Sequence, residues 1–395
     1  MTRVECECGK WNDAAPLHSA LRIPHSALGM GGVVRILFAG GGTGGHLMPA
    51  LALAQVLRDA RPDAEPVLVG AERGVEAQVL PRYPFRHYLL PIEPIYRHGW
   101  WRNARWPRIA WRVWRAVGRL LALEQPSVVV GTGGYAAGPV VWRAQRRGMP
   151  TVLQEQNAVP GLTTRWLARS ARQIHLGFPE AEASLSPGPR TAVFTLGNPI
   201  CLPASGDRSA TLAAFGLPPR RATLLVFGGS QGARKVNHAV ADALEHGAFG
   251  DVNLLWGVGP AQVGAFASYA VPGRVVVQGF FDPMADAYRA ADVVVCRAGA
   301  MTTAELCAWG KASVLVPLPT AAADHQMVNA RALAAAGAAV VLPEPELSGP
   351  TLATVANELL RDAARRASIA AGARARGHPV AAADIMSRIL TLVDG

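Results

Sequence analysis

The feature that most constrains the fold is a motif that occurs twice, in which a short apolar run enters a glycine-rich loop and then a helix-like stretch. The first copy reads "ILFAGGGTGG" from residue 36, and the second reads "LLVFGGSQGA" from residue 224. A strand that ends in a glycine turn and leads into a helix is the opening unit of a doubly wound parallel sheet. Two such openings in a chain of 395 residues predict two domains of this kind.

Each copy of the motif opens a series of predicted strands that alternate with helices, which indicates α/β domains whose parallel sheets are covered on both faces. The first series has predicted strands at 34–39, 66–70, 127–131, 150–154, 172–176 and 191–196, with helices that include 47–60 and 107–123. The second series has predicted strands at 222–227, 252–256, 274–278, 292–296, 312–316 and 338–342. We therefore expect two Rossmann-like domains that face each other across a cleft, with ligands beyond the carboxyl ends of the strands.

The predicted domain boundaries follow breaks in this alternation. Residues 1–33 mix His, Pro, Ser and Cys without an apolar segment, and we interpret them as a disordered extension or as a start site assigned too early. Residues 196–210 lack periodicity and serve as the predicted linker. A last helix, at about 380–393, is expected to pack back on the first domain. The first domain is thus predicted at 34–198 plus 378–395, and the second at 199–377.

Composition limits the partners and the compartment. The net charge of +11 favours anionic partners, which include nucleic acid, anionic lipid and phosphorylated substrates. The five cysteines are scattered and fit reduced thiols, and we expect Cys296 and Cys307 to be buried as small apolar residues. No apolar run reaches the length that a membrane-spanning helix needs.

The glycine loops are candidate phosphate sites, because glycine lets backbone N–H groups approach an anion and the following helix adds a favourable dipole. Gly40 to Gly45, Gly228 to Gly232, and the third loop "GTGGYAAGP" at 131–139 all have this form. A tight turn without a ligand is the structural alternative for each loop. A second alternative is a Rossmann-type NAD(P)-dependent oxidoreductase, since Gly40, Gly42 and Gly45 match the dinucleotide spacing and Glu72 follows the second strand.

Two polar residues of the second domain are candidate sugar ligands. Glu305 is predicted in the first turn of a helix, where a carboxylate can accept the two hydroxyl groups of a ribose. The spacing of Thr302 and Glu305 equally predicts a capping box, and the two roles are compatible. Gln326 suits sugar hydroxyls, because its amide both donates and accepts hydrogen bonds.

Taken together, these stretches resemble the MurG family of glycosyltransferases, within glycosyltransferase family 28, which adds N-acetylglucosamine to lipid I in peptidoglycan synthesis. The matching stretches occur in the order of the family: "GGTGGH", "GTGGYAAGP", "EQNAVPGLTTRWLA", "GNP", "GGSQGAR", "DPMADAYRAADVVVCRAGAMTTAE" and "DHQMVNA". The resemblance covers about 34 to 393 and implies a GT-B fold. It also implies that UDP-N-acetylglucosamine binds mainly to the second domain and lipid I to the first.

The resemblance implies a set of site residues as well. Ser230 would lie at the donor diphosphate, Phe281 would contact uracil through its backbone, and Glu305 would bind the ribose. Gln326 would hold the sugar, and Asn157 would reach it from the first domain. The nucleotide and its phosphates would contact Ala300, Met301, Thr302, Thr303 and Ala304. Thr43, Gly44 and Gly45 would line the cleft, and the acceptor pyrophosphate would lie at Gly42, Gly133, Gly134 and Tyr135.

The chain departs from the family at two positions. An arginine usually follows "GNP", whereas this chain has Ile200 and Cys201. Gln154 stands where the family often has a histidine.

The expected chemistry is an inverting displacement with His46 as candidate general base. No P-loop lysine follows the first glycine loop, which fits a pyrophosphate bound without the metal of a nucleoside triphosphate. Imidazole titrates near neutral pH and is suited to take the proton from the acceptor sugar's 4-hydroxyl. Glu155 and His325 are further candidates, and a purely structural role is the alternative for His46. We expect no cofactor and no bound metal, since no Asp-x-Asp motif is evident, although a divalent cation could stimulate the reaction.

The segment 96–123 is predicted to contact the membrane. It has five tryptophans, seven arginines and no acidic residue, and its helix places Arg108, Arg112, Arg115 and Arg119 on one stripe. Ile109, Val113, Val117 and Leu120 fall on the opposite side. Trp111, Arg112, Trp114 and Arg115 are the candidate membrane residues, because aromatic and basic side chains suit an anionic interface. A nucleic-acid surface and a solvated basic face are the alternatives.

The sequence therefore predicts a hexosaminyltransferase that is peripheral to the cytoplasmic face of the inner membrane. The predicted partners are UDP-N-acetylglucosamine, lipid I and anionic phospholipid, with other cell-wall synthesis proteins as further candidates and no nucleic acid. The oxidoreductase and a basic nucleotide- or nucleic-acid-binding protein without chemistry are the competing hypotheses.

Overall fold

A computed structural model of the chain describes residues 33–93, 105–200, 206–229 and 233–394. The predictions for residues 1–32, for the start of the segment 96–123, and for Cys201 and Ser230 lie outside the described residues. The described chain folds around two parallel sheets of seven and six strands. We call the part built on the seven-stranded sheet the first lobe and the part built on the six-stranded sheet the second lobe.

The first sheet has the strand order β3-β2-β1-β4-β5-β6-β7, and its neighbours all pair in parallel. Its strands are β1 (Val34–Gly40), β2 (Ala64–Ala71), β3 (Arg86–Leu90), β4 (Val128–Gly133), β5 (Thr151–Glu155), β6 (Gln173–Leu176) and β7 (Ala192–Thr195). Six of these strands match the predictions. The edge strand β3 was not predicted, because only one of its five residues is fully buried and its sequence lacks an apolar run.

The second sheet has the order β10-β9-β8-β11-β12-β13, again parallel throughout. Its strands are β8 (Thr223–Phe227), β9 (Asn253–Gly257), β10 (Val275–Gln278), β11 (Val293–Cys296), β12 (Ala312–Leu315) and β13 (Val340–Val341). Both sheets therefore reverse their strand order next to the strand that enters a glycine loop. Such a reversal opens a crevice at the carboxyl ends of the strands.

Helices cover both faces of each sheet. In the first lobe they are α1 (Gly44–Ala60), α2 (Glu76–Val79), α3 (Trp106–Glu124), α4 (Gly134–Arg146) and α5 (Leu162–Leu167). In the second they are α6 (Arg208–Ala214), α7 (Arg234–Glu245), α8 (Val263–Phe266), α9 (Met284–Ala290), α10 (Ala300–Trp309), α11 (His325–Ala335), α12 (Gly349–Arg361) and α13 (Ala363–Ala375). The last helix, α14 (Ala381–Asp394), packs against α1 of the first lobe.

The core shows why the central strands are apolar throughout. In β1, Leu37 faces a cluster that includes Val117 of α3, whereas Phe38 faces a cluster that includes Leu53 of α1 and Ile389 of α14. A strand of a parallel sheet is typically buried on both faces, so neither face is exposed to solvent and polar side chains are disfavoured on both. The polar side chains of such strands are therefore found at the strand ends, where the loops of the site begin.

The chain passes between the lobes twice, once after β7 and once after α13. The two connections lie against each other, because a Cβ added to Gly197 would meet the Cβ of His378 at 2.5 Å. Gly197 has a φ of +82°, which also favours glycine.

Candidate active site

The glycine loops after β1 and β4 are in direct contact at the switch point of the first sheet. A Cβ on Gly134 would lie 1.8 Å from the carbonyl oxygen of Gly41, and Gly134 has a φ of +75°. The hydroxyl of Thr132 donates to the carbonyl of His46 at 2.7 Å and ties the second loop to the start of α1. These loops can approach each other only with glycine at such positions, so the glycines serve packing as well as any ligand.

His46 lies in the first turn of α1, half-buried between the two loops. Its Nδ1 is 2.9 Å from Oε1 of Gln156, a residue just after β5. A Cβ on Gly133 would lie 2.8 Å from this same nitrogen, so the glycine leaves room for the imidazole ring. Among the described residues, no hydrogen-bond partner reaches Nε2 of His46.

Thr43 and Gly45 are exposed, and Gly44 is half-buried, at the N-terminus of α1. Thr43 is the N-cap residue, and its side chain makes no capping hydrogen bond. The first backbone N–H groups of a helix have no intrahelical acceptor, and here no side chain of the N-cap takes them. The N-terminus of α1 therefore keeps backbone N–H groups that no N-cap side chain accepts from.

The backbone N–H of Gly42, a predicted acceptor residue, already has a partner within the chain. Its N–H donates to the Glu76 carboxylate, and the ring of Tyr135 packs where a Gly42 side chain would lie. Glu76 is fully buried, and the glycines at 41, 70 and 74 all leave space for it. The Gly42 N–H is thus taken by Glu76, whereas the other predicted acceptor residues, Gly133, Gly134 and Tyr135, lie at the start of α4.

Glu155 has contacts that differ from those expected of a catalytic base. Its Oε2 accepts from the Thr164 hydroxyl at 2.6 Å and from the Gly161 amide at 3.0 Å. Its Oε1 accepts from the backbone N–H and the side chain of Asn157. The side chain is 3 % exposed. Both oxygens thus organise the loop that leads into α5.

Asn157 of the first lobe contacts the second lobe. Its Oδ1 accepts a hydrogen bond from Asn329 of α11 at 3.2 Å. Asn329 in turn accepts from the backbone N–H of Ala158 at 2.9 Å and donates to the carbonyl of Ala298. Because Asn329 is fully buried, this contact fixes the loop after β5 against the loop before α10.

Helix α10 begins at Ala300 with Gly299 as N-cap, one turn earlier than the capping-box alternative requires. Glu305 therefore lies in the second turn, and the predicted capping box is wrong. Thr303 is buried, and its hydroxyl donates to the backbone carbonyls of Gly299 and Ala300. Met301, Thr302 and Ala304 are half-buried beside them.

The Glu305 carboxylate is oriented by a buried tyrosine. The Tyr288 hydroxyl donates to Glu305 Oε2 at 2.8 Å. Burial raises the pKa of Glu305 above its ordinary value, and the Tyr288 hydrogen bond acts in the opposite direction. Burial and the neighbouring Glu305 raise the pKa of Tyr288 well above its ordinary value, so its hydroxyl stays a donor. One carboxylate oxygen remains for a ligand.

The other predicted donor residues are spread around this helix. Phe281 is 2 % exposed and its ring packs edge-on against Phe215, so its side chain is not available to a ligand. Gln326 Oε1 accepts from the Leu318 amide at 3.0 Å, which leaves its NH₂ group as a donor for sugar hydroxyls. His325 bonds to the carbonyl of Ala322 through Nδ1.

Several residues of the site were not identified from the sequence. They are the buried amides Gln156, Asn198 and Asn329, the carboxylate Glu76, and Tyr288. The available signal was weak: polar residues directly after apolar strands, in "EQN" and "GNP". The burial of Cys296 and Cys307 is confirmed, and burial raises the pKa of the Cys307 thiol to about 11.

Helix α3 exposes the predicted basic stripe. Arg108, Arg112, Arg115 and Arg119 are exposed, and Val113, Val117 and Leu120 are buried, whereas Ile109 is half-buried. Trp111 is 57 % and Trp114 39 % exposed. The guanidinium of Arg143 on α4 stacks on Trp114 at 3.5 Å from the ring centre, next to the exposed Trp142. The aromatic and basic surface thus extends from α3 onto α4.

Within the described parts of the chain, no helix has the length and apolarity needed to cross a membrane. The same residues contain no group of three or more His, Cys, Asp or Glu side chains placed to hold a metal ion.

Comparison with known proteins shows the family of the chain. The family model described as "Glycosyltransferase family 28 N-terminal domain" matches residues 36–176, and the "Glycosyltransferase family 28 C-terminal domain" matches residues 223–386. The UDP-N-acetylglucosamine--N-acetylmuramyl-(pentapeptide) pyrophosphoryl-undecaprenol N-acetylglucosamine transferase of Chlorobaculum tepidum is 41% identical over 372 residues, covering 91% of this chain and 99% of that protein. The protein of that name from Salinibacter ruber is 42% identical, covering 91% of this chain and 97% of its own.

Solved structures agree with the fold. The crystal structure of MurG from Acinetobacter baumannii is 29% identical, with a TM-score of 0.71, covering 91% of this chain and 99% of that one. The calicheamicin glycosyltransferase CalG4 matches at 17% identity and a TM-score of 0.64, which shows the fold alone. The relatives give no support to the oxidoreductase alternative. With family models that match most of both lobes and relatives about 40% identical over nearly its whole folded length, this chain belongs to glycosyltransferase family 28 and has the GT-B fold.

Proposed function

We propose that this chain transfers N-acetylglucosamine from UDP-N-acetylglucosamine to the 4-hydroxyl of the N-acetylmuramoyl-pentapeptide of lipid I, giving lipid II and UDP. The curated relatives that match over 91% of the chain carry the name of this activity. The structural observation that carries the proposal is the contact between the two lobes at their ligand-binding edges. There Asn329 of the second lobe accepts from Ala158 and donates to Asn157 of the first.

In the proposed reaction, Nε2 of His46 takes the proton of the acceptor's 4-hydroxyl while that oxygen attacks the anomeric carbon of N-acetylglucosamine. The new carbon–oxygen bond forms as the bond to the UDP oxygen breaks, and UDP leaves with the electron pair. Attack from the face opposite the leaving group inverts the anomeric centre. Backbone N–H groups at the N-terminus of α10 stabilise the departing diphosphate, with Ser230 as the predicted second contact.

The donor residues of the proposal surround α10. Glu305 accepts the ribose hydroxyls, the Phe281 backbone contacts uracil, and Gln326 holds the sugar through its free NH₂ group. Ala300 to Ala304 contact the nucleotide and phosphates. These roles are supported by the open Oε1 of Glu305 and by the anchored amide of Gln326.

The acceptor side of the proposal lies in the first lobe. The pyrophosphate binds at the N-termini of two helices, at Thr43, Gly44 and Gly45 of α1 and at Gly133, Gly134 and Tyr135 of α4. Each of these N-termini is the positive end of a helix dipole, and neither has a side-chain cap. Glu155 is a positioning residue for the Asn157 loop, since its oxygens are taken by that loop.

The proposed location is the cytoplasmic face of the inner membrane, where a lipid-linked acceptor is found. Trp111, Arg112, Trp114 and Arg115 contact anionic phospholipid, and Trp142 with Arg143 extends this surface. Exposed tryptophan and arginine on adjacent helices are suited to a membrane interface. Other cell-wall synthesis proteins are proposed as further partners, and nucleic acid is not.

The decisive test of the proposed activity is ligand-dependent thermal stability combined with product analysis. We expect UDP-N-acetylglucosamine at about 100 times its Kd to stabilise the folded chain by about 2.7 kcal/mol, and NADPH to have no effect. Mass spectrometry of a reaction with lipid I should detect lipid II. Stabilisation by NADPH, or no product with a donor that binds, would contradict the proposal.

Membrane binding is tested with vesicles of phosphatidylglycerol in phosphatidylcholine. Each arginine near an anionic surface contributes about 1 kcal/mol, so Arg112→Ala with Arg115→Ala should lower partitioning by roughly 30-fold at moderate salt. The matched control is Arg220→Ala with Arg361→Ala, two exposed arginines of the second lobe. Equal binding of the wild-type chain to uncharged vesicles would show that the arginines do not determine association.

A further inference from the structure

A continuous chain of hydrogen-bonded side-chain amides links His46 to the donor lobe. From His46 it passes to Gln156, then to Gln154 of β5, and then to Asn198 after β7. Asn198 Nδ2 donates to the carbonyl of Gln156 at 3.0 Å and to that of Ala300, the first residue of α10, at 3.3 Å. All three amide side chains are 2 % exposed or less, so water does not compete for these bonds.

The orientation of the Gln156 amide follows from its partners. Its nitrogen donates to the carbonyls of Thr132 at 2.8 Å and Gln154 at 2.9 Å, and also contacts the Gln154 side-chain oxygen. A flipped amide would place Oε1 against these oxygens, which have no hydrogen to offer. The buried amide would then lose several hydrogen bonds, each costly to leave unmade. The oxygen of Gln156 is therefore the atom that faces His46.

This orientation decides where the proton of neutral His46 lies. An amide oxygen can only accept, so Nδ1 of His46 must carry the hydrogen that it donates to Gln156. The lone pair of the neutral ring is then on Nε2. A general base needs this nitrogen unprotonated, and the other tautomer would present an N–H to the acceptor hydroxyl.

We propose that Gln156 is the positioning residue that holds His46 in the Nδ1–H tautomer, and that Gln154 and Asn198 lock it and join it to the donor helix α10. The inference rests on the proposed function for the role of His46 as base. It goes beyond that function by assigning the tautomer, the residue that sets it, and the path between the base and the donor lobe. Because the three linking side chains are neutral amides, the connection orients the His46 ring without adding a net charge beside it.

Gln156→Leu tests the assignment, since leucine fills similar space and accepts no hydrogen bond. We expect kcat to fall by roughly 10- to 100-fold, because the base is in its productive tautomer for a smaller fraction of the time. KM for UDP-N-acetylglucosamine should stay within about threefold, since no donor contact is removed. In ¹⁵N NMR of the histidine-labelled chain, His46 Nε2 should change from an unprotonated to a largely protonated nitrogen.

The chain offers a matched control in the same sheet. Gln173 of β6 is also buried and bonds through Oε1 to Nε2 of His175 at 3.0 Å, away from the glycine loops. Burial, followed by the charge of Arg388, lowers the pKa of His175 to about 4, so this histidine is neutral near pH 7. Gln173→Leu removes a comparable hydrogen bond, and we expect kcat and the His46 signals to be unchanged.

The outcomes separate this inference from the proposed function. A Gln156→Leu enzyme with wild-type His46 nitrogen shifts and wild-type kcat would overturn the role of Gln156. An equal loss of kcat in Gln173→Leu would overturn it too, because general destabilisation would then explain the effect. If His46→Ala keeps its turnover, the base assignment fails, while the nitrogen shifts still decide whether Gln156 sets the tautomer.

Discussion

Replacement of His46 by alanine is expected to lower kcat by about 10²- to 10⁴-fold, the usual contribution of a general base. The imidazole lies between the two glycine loops of the first lobe, and its Nδ1 is already held by Gln156. KM for UDP-N-acetylglucosamine should change by less than about threefold, because the proposed donor contacts lie in the second lobe. The result would therefore separate catalysis from binding.

The measurement is steady-state transfer from labelled UDP-N-acetylglucosamine to a soluble lipid I analogue. His246→Ala serves as control, since His246 is an exposed histidine at the end of α7. Near-normal turnover in the His46→Ala enzyme would remove His46 from the mechanism. A large rise in donor KM with unchanged kcat would instead assign it to substrate binding.

Glu305→Ala should raise KM for UDP-N-acetylglucosamine by about 10- to 100-fold and change kcat much less. Hydrogen bonds to a charged group contribute about 1.5–3 kcal/mol, which corresponds to this range. The Tyr288 hydroxyl holds one oxygen of the carboxylate, so the other is oriented before the ribose arrives. Tyr288→Phe should give a smaller rise, because the carboxylate remains but loses its orientation.

The same carboxylate predicts a pH dependence of donor binding. Burial raises the pKa of Glu305, so on acidification it takes up a proton at a higher pH than an exposed glutamate does. The protonated form accepts hydrogen bonds less well, and donor KM should therefore rise as the pH falls through this raised pKa. Tyr288→Phe removes the hydrogen bond that opposes the shift and should move the rise to still higher pH.

Isothermal titration with UDP across the pH range provides the check. Glu245→Ala is a suitable control, as an exposed glutamate that also accepts from a tyrosine hydroxyl, in this case Tyr269. Equal UDP affinity in the wild-type and Glu305→Ala chains would place the nucleotide elsewhere. A pH profile that does not move in Tyr288→Phe would contradict the coupling between the two groups.

The parallel sheets could be predicted because their central strands are short apolar runs that end in glycine or polar loops. β3 could not be predicted in this way, because an edge strand needs few buried side chains and has no apolar run. The start of α10 could not be predicted either, because its N-cap is Gly299 and offers no side-chain signal. Gly42 shows a different limit: a glycine in a phosphate-like loop can have its N–H taken by a carboxylate, here Glu76, that is 34 positions away.

The site residues divide in the same way. Those that could be predicted, such as His46 and Glu305, belong to motifs with a recognisable chemistry. Gln156, Asn198 and Asn329 could not, because an amide has no characteristic spacing and acquires its role from partners that are distant in sequence. Asn198 bonds to Ala300 across 102 positions, and Asn329 to Ala158 across 171.

The contact between Gly197 and His378 has a consequence for motion. Because the two connections between the lobes touch here, we expect the lobes to rotate about this contact when they move relative to each other. A side chain at Gly197 would clash with His378 and push the two connections apart. We therefore expect a substitution at Gly197 to change the width of the crevice between the lobes, although it alters no residue proposed to contact the substrate.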